Sequence, residues 1–123
     1  MKELPPILLV GHNKQNLTLL GQLLGKEGFP TTSASSLEEL DRVLDEEKAI
    51  SLVLLDLGGF DRGIWERCAR LQDRLIPFIA IYPKESDRIQ LESITHGAHS
   101  VLVKPLSAKH ILGIVKAMLE SEP

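Results

Sequence analysis

The side chains of this 123-residue chain best suited to chemistry stand just beyond short apolar runs. Asp56 follows Leu52-Val53-Leu54-Leu55, Tyr82 follows Phe78-Ile79-Ala80-Ile81, and Lys104 follows Val101-Leu102-Val103. Gly11, His12 and Asn13 follow Ile7-Leu8-Leu9-Val10. Taken alone, Asp56 is a strand-terminal aspartate able to cap the next turn, Lys104 is a surface lysine, and His12 is a solvated loop residue. One imidazole and one carboxylate are too few for a structural zinc site. His96 and His99 are three apart, but Gly97 between them ends a helix, so they belong to a surface loop rather than a metal site. Cys68 lies on an apolar helix face with no base beside it, as a small core hydrophobe does. Gly58-Gly59 implies unusual φ angles, not a phosphate cradle, because neither GxxxxGK[ST] nor GxGxxG occurs in the chain. Phe60 and Trp65, near that loop, are assigned to packing.

The elements that position these residues follow from hydrophobic pattern. Unbroken apolar runs such as Ile7–Val10 and Leu52–Leu55 fit strands buried on both faces, as in a parallel sheet. Thr31–Ala34 is β-prone but polar, which places it at a sheet edge. Between the runs lie amphipathic stretches: Leu17, Leu20 and Leu24 stopped by Gly28; Leu37, Leu40 and Leu44 behind a Ser36–Glu39 capping box; Ile64, Cys68, Leu71 and Leu75. A fourth opens at Ser86, with Ile89 or Leu91 and Ile94 inward, and stops at Gly97. The last is capped by Ser107 and carries Ile111, Ile114, Val115 and Met118. Five β-α repeats predict a (βα)5 three-layer sandwich, flavodoxin-like, with a five-stranded parallel sheet and right-handed crossovers. In such sheets the site lies beyond the carboxyl ends of the strands, which is where the residues above stand.

Composition bounds the rest. The chain has the length of one domain, residues 1–123 with a core over 6–119. Hydrophobic residues make up 43% and charged residues 25%, which excludes disorder, and a net charge of −3 without a Lys/Arg cluster excludes nucleic acid as a partner of this domain. No run is long enough for a membrane span or a signal peptide, and the lone Cys68 allows no internal disulfide. A soluble, cytoplasmic protein is expected. The Ser121-Glu122-Pro123 end suits the start of a linker.

From Ile7 to Leu119 the chain resembles a response-regulator receiver domain of two-component signalling, diverged toward a pseudo-receiver. Leu52-Val53-Leu54-Leu55-Asp56-Leu57 resembles the strand that ends in the phosphoaccepting aspartate. Gly97-Ala98 followed by Leu102-Val103-Lys104-Pro105-Leu106 resembles the segment with the phosphoryl-contacting lysine and a cis proline. The resemblance implies strand order 2-1-3-4-5, two helices on one face and three on the other, Asp56 as phosphoacceptor, Lys104 paired with it, and a cis Lys104–Pro105 bond.

It also marks departures. The two acidic residues that hold Mg²⁺ in receivers match Gly11 and His12, leaving Asp56 and the Gly58 backbone carbonyl as a weak Mg²⁺ site at best. Tyr82 stands where the family has a small hydroxyl residue, and its ring carries the hydroxyl too far out for that role, with Pro83 stiffening the turn. Val101 stands where the family has a switching aromatic and has no ring to swing. A cationic His12 facing Asp56 would stand in for the missing metal charge. The expected function is a non-enzymatic signalling module that binds a histidine kinase or downstream effector through helix four, strand five and helix five, independently of phosphate and without a cofactor. The alternative is a phosphorelay receiver phosphorylated on Asp56. A flavin or cobalamin binder ranks last: Gly11–Asn16 is no phosphate loop, and D-x-H-x-x-G set on His12 finds Val10 and Gln15.

Overall fold

The structure, a computed structural model, describes residues 4–46, 49–60, 62–82 and 87–120. Pro83, Ser86 and 121–123, and the side chain of Ile89, lie outside the described residues. The elements alternate as β1 (Ile7–Val10), α1 (Lys14–Lys26), β2 (Thr31–Ala34), α2 (Leu37–Glu46), β3 (Leu52–Asp56), α3 (Ile64–Asp73), β4 (Phe78–Tyr82), α4 (Asp87–Thr95), β5 (Ser100–Val103) and α5 (Ala108–Glu120). The strands pair in parallel in the order β2-β1-β3-β4-β5. The polar strand β2 is at an edge, as its composition predicts. Register sets Val10 beside both Ala34 and Leu55, Asp56 beside Ile81, and Tyr82 beside Val103. The carboxyl ends of the strands therefore open on one side of the sheet.

Alternation along the strands divides the core in two. Leu8, Val10, Val53, Leu55 and Phe78 pack with Leu40 and Leu44 of α2 and Ile64, Cys68 and Leu71 of α3. Ile7, Leu9, Leu54, Ile79 and Ile81 pack with Leu17 and Leu24 of α1 and Ile111 and Val115 of α5. Cys68 is fully buried, and burial pushes its thiol up to about 12, which makes it a core hydrophobe. The helices α2 and α3 are latched at the surface. Asp41 accepts from Arg67 through Nε at 3.0 Å and Nη2 at 2.7 Å, and Arg70 bridges Asp41 and Asp45. The Arg67 hydrogen bond holds the Asp41 carboxyl below the usual carboxylate range.

Helix ends follow their sequence signals, with one exception. Ser36 Oγ accepts from Glu39 N at 3.1 Å, while the Glu39 carboxylate reaches one residue farther than a capping box requires, to Ser35 N at 2.6 Å. Helix α5 starts with His110 N donating to Ser107 Oγ at 3.0 Å. Helices α1 and α4 end in Schellman motifs with Gly28 (φ 88°) and Gly97 (φ 100°) at the left-handed position. Helix α3 ends the same way, but with Leu75 at φ 58°. Ile76 N donates to Leu71 O and Leu75 N to Gln72 O, closing the motif. This corrects the placement of Leu75 on the buried face: the left-handed turn throws it outward, 89% exposed. In α4, Leu91 and Ile94 are 67% and 55% exposed rather than inward, and the side chain of the alternative, Ile89, lies outside the described residues. Among the described side chains of α4 the buried one is Ser93, whose hydroxyl has no partner among the described residues.

Candidate functional site

Asp56 is the last residue of β3, a strand otherwise fully enclosed. Its carboxylate reaches two partners. Lys104 Nζ donates to Oδ2 at 2.6 Å, and the Gly58 N–H donates to Oδ1 at 3.2 Å. The pair is partly sheltered, with side-chain exposures of 16% for Asp56 and 32% for Lys104. Lys104 is held in place because its own N–H donates to Tyr82 O at 3.0 Å, which continues the β4–β5 ladder past Val103, and the Lys104–Pro105 bond is cis, as expected. A cavity of about 330 Å³ between α1 and α5, walled by Leu19, Leu20, Leu106 and Ile111, opens onto the pair.

Gly11 is buried and its N–H donates to Ala34 O at 3.1 Å. A Cβ at this position would come within 3.2 Å of Asp56 Cβ and 3.4 Å of Leu17 Cδ2, so the strand end has closed around the missing side chain. His12 does not pair with Asp56: among the described residues its recorded contact is with Phe60, the ring centroids 4.1 Å apart and 30° from parallel. Gly59, at φ 85°, makes room for this stack, since a Cβ there would sit 2.8 Å from the imidazole. Asn13 is the N-cap of α1 and accepts from Asn16 N at 3.0 Å. An asparagine directly before an apolar helical repeat is a known cap signal, and it was legible in the sequence.

Tyr82 is 1% exposed, so its ring is enclosed rather than projecting from the strand end. It shares a sheet face with Ala80, and through the Ala80–Val101 register with Val101, which is half-buried. Sequence reasoning assigned two aromatics, Phe60 and Trp65, to packing without naming their partners. Phe60 carries the His12 stack, and Trp65 stacks on His96 at 4.7 Å, 11° from parallel. His96 is therefore a packing residue rather than a loose loop histidine, whereas His99 is exposed. Among the described residues no group of three or more His, Cys, Asp or Glu side chains could hold a metal ion, and no helix is long and apolar enough to cross a membrane.

A three-layer (βα)5 sandwich with an aspartate and a lysine meeting at the strand ends defines the receiver class. The chain is 31% identical over 117 residues to the transcriptional regulatory protein GltR of Pseudomonas aeruginosa, across 92% of this chain and 48% of that protein. It is 27% identical over 118 residues to the sensory transduction protein RegX3 of Mycobacterium tuberculosis, across 92% of this chain and 50% of that one. Among solved structures, a two-component response regulator from Clostridium difficile superposes with a TM-score of 0.86 at 24% identity, covering 95% of this chain and 97% of that one. No family model matches the chain. The chain has the fold of the receiver domains of two-component response regulators and is similar to these regulators in sequence. It spans about half the length of the curated relatives it matches.

Proposed function

We propose that this receiver domain acts mainly as a phosphorylation-independent, non-enzymatic interaction module in the cytoplasm. The observation that carries the proposal is the donor set around Asp56. Mg²⁺ is a hard cation that needs several charged or carbonyl oxygens in octahedral array. Here the positions that supply acids in receivers hold Gly11, which has no side chain, and His12, whose ring is stacked on Phe60. Among the described residues, the carboxylate at the site, Asp56, already accepts from Lys104 and Gly58, and the Asn13 side chain caps α1. These residues do not fit Mg²⁺. Lys104 supplies the charge that balances Asp56 instead.

The docking surface in this proposal is α4, β5 and α5, facing a histidine kinase or downstream effector. The outward Leu91 and Ile94 of α4 and the 36% exposed Val103 of β5 support it, because exposed apolar side chains grouped on neighbouring elements favour protein contact. A second proposal, phosphorelay through Asp56, draws support from the Lys104–Asp56 pair, which keeps a carboxylate and a cation together at the strand ends.

Incubation with Mg²⁺ and a small phosphodonor, read by intact mass, separates the two. The expected spectrum stays that of the unmodified chain. A prompt, stoichiometric phosphoryl adduct that disappears in Asp56→Asn would overturn the first proposal and establish the second.

A further inference from the structure

Between Asp56 and α3 the chain passes Gly58, Gly59 and Gly63, a glycine content that would let it take many paths. Among its described residues, contacts tie it to the sheet, to the β1–α1 loop and to α4. At the start, the Gly58 N–H donates to the Asp56 carboxylate. Next, Phe60 lies against His12 of the β1–α1 loop. At the far end, Trp65 in the first turn of α3 lies nearly parallel to His96, the residue that follows α4. The same end of α4 meets α3 a second time, because a Cβ on Gly97 would run into the Gln72 amide.

Among the described side chains of α4, Ser93 is buried with an unpartnered hydroxyl, and Leu91 and Ile94 are turned outward. The C-terminal end of the helix is the part that meets α3.

We infer that the chain from Gly58 to Trp65 is a strap that ties the Asp56 end of the sheet to the C-terminal end of α4, with His12–Phe60 and Trp65–His96 as its two fastenings. Releasing His12 from Phe60 frees a glycine-rich path, Trp65 then moves beneath His96, and α4 follows the end at which it is held. His12, Phe60, Trp65 and His96 are positioning residues in this scheme. The inference rests on the docking-surface proposal for its meaning to a partner. Its test needs no partner, so the two fail separately.

The test is the backbone amide spectrum of His12→Ala against the parent, with Trp65 emission recorded in parallel, since Trp65 is the chain's one tryptophan. The expected result is a shift of the Trp65, His96 and Leu91–Thr95 resonances and of the emission maximum, with β2 and α5 unchanged. Phe60→Leu, which keeps an apolar side chain but removes the ring, is expected to give the same pattern and serves if His12→Ala fails to fold. The reverse variant, His96→Ala, is expected to move Phe60 and Gly58. Shifts confined to the β1–α1 and β3–α3 loops, or spread evenly over α1, α5 and β2, would overturn the strap.

Discussion

The Asp56 carboxylate sits in a sheltered place where one ammonium and one N–H meet it. A carboxylate 16% exposed that loses its cation stays largely desolvated and unbalanced. Lys104→Met is therefore expected to lower stability by about 1–2 kcal/mol, the range for leaving a sheltered polar group without its partner. In the background of Asp56→Asn the same change should cost much less, because no charge remains to be orphaned. Denaturant melts of the four proteins in that cycle measure the coupling. Strictly additive losses would show that the two groups are near each other without being energetically paired. At this scale the sequence is legible where a residue ends a buried strand, as Asp56 and Lys104 do. It is not legible where the loop path decides the neighbour. His12 turned from Asp56 to Phe60 because Gly59 takes a left-handed conformation that clears space for the imidazole, and two adjacent glycines do not state which of them will do so.

Three helices end in the same hydrogen-bond pattern, and α3 alone among them does so without glycine. A β-carbon in the left-handed region costs roughly 1–2 kcal/mol, partly offset in a glycine variant by the greater freedom of its unfolded chain. Leu75→Gly is expected to raise stability by about 0.5–1 kcal/mol, while Leu75→Ala, which keeps the β-carbon, brings no such gain. Thermal unfolding of the two variants checks this; equal melting temperatures would mean that Leu75 carries no strain. The absent glycine is also why periodicity carried Leu75 onto the buried face: Pro77 announces a stop but does not place it before Leu75. Helix α4 resisted for a different reason. Its apolar residues are spaced for a helix, yet among its described side chains the buried one is Ser93, small and polar, which a hydrophobic pattern does not pick out.

The whole sheet was readable because its three central strands are unbroken apolar runs and the alternation with helices leaves one chirality of crossover. What holds the layers at the surface is electrostatic on one side: the Asp41–Arg67–Arg70–Asp45 latch between α2 and α3. Asp41 is shifted below its ordinary value of 3.8, first of all by its hydrogen bond from Arg67. A carboxyl with a depressed folded value stabilises above its unfolded value and loses that contribution as pH falls through the folded one. Asp41→Asn is expected to be less stable than the parent by about 1 kcal/mol near neutral pH, since the latch is a third exposed and screened by solvent. The gap should close as the pH is lowered past 3.8. Urea unfolding at about pH 7 and about pH 3 reads both values, and a gap of constant size would place the stabilisation elsewhere than in the ion pair.

The crowding around Gly11 has a historical corollary. Position 12 is exposed, so a carboxylate can replace the imidazole there in one step without displacing a neighbour. Position 11 is closed: any side chain must move Asp56 or Leu17 by a few tenths of an ångström. Position 59 is closed as well, but only while the imidazole lies over it, and its backbone still favours glycine after that. A lineage acquiring a pair of acids would therefore meet its steps in a set order, residue 12 before residue 11, and the first step alone would release Phe60.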